Sequence, residues 1–166
     1  MPYLLILLGV FARLVPHAWN FTPVGAIGLF AGANCNPRIA WLVPIAALLI
    51  ADLITGLYDP LVMIFVYLGF AAAPLMGRLF LYRQRSILRF GGAVTASATT
   101  FYLLSNFGMW LVAFPHSVQG FIECYVRGLP YYGVTLIGDG LFTAILFGLQ
   151  AIIAHHSRQA ENAIQA

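Results

Sequence analysis

Three polar side chains stand inside long apolar runs of this chain: Asp52, Asn106 and Asp139. A charge in hydrocarbon costs about 2.5 to 3.5 kcal/mol or more unless it is paired or faces a cavity, so such residues are candidates for function by default. Counted from the ends of their runs at about 1.5 Å per residue, all three lie on the order of 8 to 12 Å deep and share a layer. Arg13, at the end of the first run, is the cation available to that layer. The chemistry open to such a group is polar recognition of a small solute, in a pocket floored by Arg13, Asp52, Asn106 and Asp139 and roofed by Trp110 and His116. His17, Asn20, Tyr125 and Tyr131 fall on the same side and complete the expected substrate-binding set. A structural reading stands beside it, in which Arg13 pairs with Asp52 or Asp139 and holds the helices together. His17 and His116 are too few to supply the three or four ligands a metal needs, and neither a metal nor a cofactor is expected.

The elements that must position these residues are membrane helices. Hydrophobic residues make up 61% of the 166 and charged residues 8%, with a mean hydropathy of +0.90; such a chain cannot cover a water-facing surface with the usual mixture of charges. Its partner is the lipid bilayer. At roughly 20 residues per crossing there is room for five or six spans, expected at residues 2–14, 21–33, 39–57, 61–81, 90–114 and 131–154. Residues 1–12 have no preceding basic residue and no A-x-A cleavage pattern, so they are expected to be retained as a span. Gly25, Gly28 and Gly32, and likewise Gly69, Ala73 and Gly77, are small residues spaced to face a neighbouring helix closely.

Residues 117–129 differ in character. Val118, Phe121, Ile122, Tyr125, Val126 and Leu129 recur at helical spacing, with Gln119, Glu123 and Arg127 on the opposite face; the expectation is a short amphipathic helix before the last span, lying at the interface or acting as a lid. The fold class is therefore all-α, a polytopic membrane bundle of about six transmembrane helices plus that helix. Residues 1–155 form one membrane domain and 156–166 a cytoplasmic tail.

Orientation follows from arginine. All eight basic residues are arginines, and Arg78, Arg83, Arg85 and Arg89 crowd into one loop region. Loops rich in basic residues stay in the cytoplasm, which places both termini, Arg38 and Arg158 inside and leaves Arg13 and Arg127 outside. The net charge of +3 is then a topology signal and not a nucleic-acid footprint. Cys35 and Cys124 fall on opposite sides, too far apart for a disulfide.

The stretches RLVPHAWNFTPVGAIGLFAG (13–32), SNFGMW (105–110) and CYVRGLPYYGVTLIGDGLF (124–142) resemble a family of small uncharacterised bacterial integral membrane proteins. More remotely, the chain is similar to the substrate-binding S components of energy-coupling-factor vitamin transporters, nearest their solitary cobalamin-type group. There too a Ser-Asn pair in the fifth span precedes an outer loop and a Tyr- and Pro-rich approach to the last span. The resemblance implies an inner-membrane protein that takes a vitamin-like small molecule from the outside, with a transporter energising module as a possible partner. Asp59 and Pro60 stand where cobalamin-type members carry a cysteine, which argues against cobalamin itself. The A-x-x-x-A pattern of the S-component first helix has its nearest equivalent at Ala47 and Ala51.

The chain is not expected to be an enzyme. Tyr58-Asp59 and Gly138-Asp139 faintly resemble the paired motifs of intramembrane aspartyl proteases, but Leu136 occupies a required glycine position, and Asp59 is expected at the surface while Asp139 is buried. A membrane scaffold or assembly factor without transport is the other alternative, and it predicts a polar layer packed solid. No P-loop pattern is present, so any ATP would be used by another chain.

Overall fold

In hydrocarbon every backbone N–H and C=O must find a partner within the protein, and a helix supplies those partners from its own segment. The computed structural model describes residues 1–15 and 20–165, apart from the side chains of Glu161 and residues 163–165, and is all-α across the described residues. The helices are α1 (Pro2–Leu14), α2 (Val24–Asn34), α3 (Pro37–Ala40), α4 (Leu42–Thr55), α5 (Pro60–Leu81), α6 (Ile87–Ala113) and α7 (Val118–Gln165). α3 passes through Trp41 into α4, and the two count as one rod, Pro37–Thr55; this rod, α5, α6 and α7 are long and apolar enough to cross a membrane. α1 and α2, of 13 and 11 residues, are the short members of the bundle.

Local sequence explains several helix starts. Asn36, Asp59 and Ser86 each accept a hydrogen bond from a backbone N–H of the turn that follows, and Pro37 and Pro60 occupy the first turn, where a missing N–H costs nothing. Gly56, with φ of 109°, turns the chain between α4 and α5.

The molecule is built around the short helix α2. Every residue from 24 to 33 is buried, with α5, α7 and α4 packed around α2. Small residues make this approach possible. A side chain on Gly32 would run into the Pro74 carbonyl, one on Gly77 into the Leu29 carbonyl, and one on Gly28 into Ala73. The two small-residue stripes seen in the sequence therefore meet each other. Ile27, Leu29 and Phe30 fill the adjoining core with Leu5, Val43 and Phe147.

One expectation needs correction. The amphipathic stretch is not a separate helix, because it runs without a break through Pro130 into the last span as the start of the 48-residue α7. Proline is tolerated inside membrane helices because neighbours re-satisfy the freed carbonyl. The inward face of that stretch is its small-residue one: Gly120, Cys124 and Gly128, one helical turn apart, are buried while Val118, Ile122, Val126 and Leu129 are exposed.

Candidate functional site

Asp52 sits one turn before the end of α4 and is 1% exposed. Arg13, in the last turn of α1, donates from Nη2 to Asp52 Oδ1 at 2.6 Å, and the Tyr67 hydroxyl of α5 donates to Oδ2 at 2.9 Å. Both oxygens of the carboxylate are thus engaged, and three helices are tied at one point. Tyr58, in the turn between α4 and α5, lies close enough to feel this charge. Burial first, and then the charge of Asp52, push its phenol up to about 12, with Arg13 pulling the other way. The hydroxyl consequently stays a neutral donor at physiological pH.

Asp139 occupies a different interface. Its carboxylate lies against Gly25, where any side chain would collide with it, and it accepts a hydrogen bond from the Ala26 backbone N–H. The residue at the N-cap of α2 is Pro23, which has no side chain able to cap. Asp139 does that work from α7, placing an acceptor at the positive end of the buried helix. At the other end of α2, Asn34 Oδ1 accepts from Arg85 Nη2 at 2.7 Å and from Gln150 Nε2 at 2.8 Å, and Arg85 Nη1 donates to Gln150 Oε1 at 2.9 Å. The cation falls at the negative end of the helix. Asn34, Gln150, Tyr58 and Tyr67 were missed as site residues by the sequence reading. Asn34 and Gln150 carry no motif, and only the fold brings them together.

Asn106 belongs to a third place, the α6–α7 contact. Its Nδ2 donates to the Tyr102 carbonyl at 2.8 Å, its backbone carbonyl accepts from the Cys124 thiol at 3.3 Å, and a side chain on Gly128 would strike its amide. Trp110, His116 and Tyr125 gather nearby. Trp110 Nε1 donates to the Pro115 carbonyl at 3.1 Å, a ring nitrogen of His116 lies 2.9 Å from the Leu111 carbonyl, and the Tyr125 hydroxyl donates to Leu103 O at 2.8 Å. Phe121 bridges the rings of Trp110 and Tyr125, at centroid separations of 5.4 and 4.4 Å.

The expected pocket therefore resolves into three separate groups: the Arg13–Asp52–Tyr67 clamp, the Asp139 cap, and the aromatic cluster with Asn106. Asp52 and Asp139 belong to different helices, α4 and α7, that each pack on α2, and among the described residues they have no bonding partner in common. Asn20, with φ of 62°, forms the turn ahead of α2; Tyr131 is exposed; His17 lies outside the described residues. Asp59 caps α5 and has no part in the Asp139 site. Among the described residues no group of three or more His, Cys, Asp or Glu could hold a metal ion.

An open groove of about 430 Å³ lies between α4 and α5, lined by Ile45, Pro60, Met63, Ile64, Tyr67, Leu68 and Ala71. Tyr67 is common to this groove and to the clamp. A second cavity, of about 490 Å³, lies at the Arg85 end.

A family profile described as "Family of unknown function (DUF6580)" matches residues 1–162. Among curated proteins and solved structures, none matches the chain.

Proposed function

The chain belongs to this family of unknown function, which assigns it no activity, and from its own geometry we propose that it binds a small amphipathic, vitamin-like molecule from the extracytoplasmic side, as a transport component of the S-component type. The observation that carries this reading is Tyr67, whose ring lines the apolar groove while its hydroxyl donates to Asp52. A ligand with an apolar body in the groove can extend its polar group to Arg13, which meets Asp52 through Nη2 and is 23% exposed, and to the neutral Tyr58 hydroxyl. Cation and phenol together suit a carboxylate or a similar acceptor. Energy for release to the inside would come from another chain.

The test is retention and uptake. Full-length protein extracted from its native membrane should carry a non-lipid adduct in native mass spectrometry, and Met63→Trp, which fills the groove, should lose it. A wild-type protein without such an adduct, or one that Met63→Trp retains equally, overturns the reading.

A second reading, a scaffold without transport, is favoured by a separate observation: Asp52 and Asp139 are both already partnered, so the polar layer needs no ligand to satisfy it. It predicts that Met63→Trp has no effect on any cellular role, whereas disturbing an exposed helix face does.

A further inference from the structure

The cavity at the Arg85 end lies between the α5–α6 connection and the last turns of α7, and Arg85, Gln150, His155 and Arg158 supply its polar lining. Ala151 and Ala154 supply the rest, and their small side chains leave the space open. Its volume, about 490 Å³, suits a headgroup-sized molecule. From its position in this cavity wall we propose that the site binds a phosphate group, presented by an anionic phospholipid or by a soluble phosphate ester.

Two features set this cavity apart from an ordinary basic loop. Arg85 is fixed in direction by Gln150 and Asn34 and lies over the Phe147 ring at 5.0 Å. Little conformational freedom is therefore left for it to lose when an anion arrives, and a planar guanidinium held in place is well suited to phosphate oxygens. The second feature is local charge. Arg38, Arg78, Arg83, Arg85, Arg89 and Arg158 belong to this end of the chain's hairpins, while Glu161 is the one acidic residue that the sequence places there. An anion drawn from outside the protein offsets that excess, and a basic pocket between helices at the membrane surface draws phosphate headgroups by the same attraction.

The experiment uses full-length protein in mild detergent, incubated with phosphatidylglycerol or phosphatidylcholine and analysed by native mass spectrometry. Wild type should retain phosphatidylglycerol over phosphatidylcholine, and Arg158→Gln should reduce that preference about fivefold, the effect of one arginine near a charged surface. Ala154→Trp, which fills the cavity without changing charge, should abolish it. Arg83→Gln, outside the cavity lining, should leave it close to wild type. Excess inorganic phosphate separates the sources: displacement of the lipid supports a site for phosphate esters in general, and retention supports a membrane headgroup held also by its chains. Equal retention of the two lipids, or a preference that falls alike in Arg83→Gln and Arg158→Gln while surviving Ala154→Trp, overturns the proposal.

Discussion

Arg13 and Asp52 are unequally buried, with side-chain exposures of 23% and 1%, and that inequality decides which of them is costlier to lose. Arg13→Leu strands a carboxylate in a closed site, which costs about 3 to 5 kcal/mol. Asp52→Leu leaves a guanidinium that water can still reach, so its cost should be smaller, about 1 to 3 kcal/mol, with one further bond lost from Tyr67. Unfolding in mixed micelles should rank the two variants in that order, and the double variant should be milder than Arg13→Leu alone. The reverse order would mean that the pair is hydrated from the Asp52 side. Thr143 makes a complementary case: its Oγ1 is buried with no hydrogen-bond partner among the described residues. Thr143→Val keeps the shape and removes the unsatisfied hydroxyl, so it should stabilise the fold by about 1 kcal/mol. At this scale the sequence shows that Asp52, Asn106 and Asp139 are costly, because a polar residue in an apolar run is visible without a structure. Their partners are less visible. Arg13 could be named as the available cation, whereas the Ala26 N–H beneath Asp139 is a backbone group that every residue but proline possesses.

The element that explains most of these contacts is α2. Eleven residues at about 1.5 Å each give a helix of roughly 17 Å, too short to reach water at both ends through a hydrocarbon core of about 30 Å. Its terminal amides and carbonyls must be met inside the protein. Asp139 meets one end, and the Arg85, Asn34 and Gln150 group meets the other. Asp139→Asn keeps an acceptor for the Ala26 N–H, so it should cost less than Asp139→Leu, for which about 1 to 2 kcal/mol is expected from loss of the cap. Equal losses in thermal melts of the two variants would show that the carboxylate packs against Gly25 without capping. Gly32→Val tests the close approach of α2 to α5: a side chain there meets backbone, not a movable side chain, so the cost should exceed the usual 1 to 3 kcal/mol of overpacking. Element boundaries were well marked where caps are local, as at Asp59 and Pro60. They were misread between residues 129 and 131, where two elements expected to be separate form one continuous helix through Pro130. That each glycine stripe faces a close neighbour was readable from spacing, but which stripe meets which was not, and the inward Gly120, Cys124 and Gly128 face was hidden beneath a stronger apolar periodicity.

For the whole molecule, the contacts divide charge between two ends. Arg85 joins the α5–α6 connection to the end of α2 and to the later part of α7, and the same cavity holds Arg158; Arg13 and Arg127 lie with the ends of α1 and α6, Arg127 over the Phe114 ring at 5.9 Å. A bundle with this separation has a preferred direction in a membrane, since basic loops resist translocation. We expect the Arg85 end to face the cytoplasm. Single cysteines introduced at Ser86 and at Ser117, in a background with Cys35 and Cys124 replaced by Ala, test it in intact cells. A membrane-impermeant maleimide should label the Ser117→Cys variant and label Ser86→Cys only after the membrane is opened. The opposite pattern would turn the Arg13–Asp52 clamp and the groove at Tyr67 toward the cytoplasm, and uptake from outside would then lose its physical basis. The bound phosphate group would move with it, because an anionic headgroup at Arg85 would have to come from the outer leaflet.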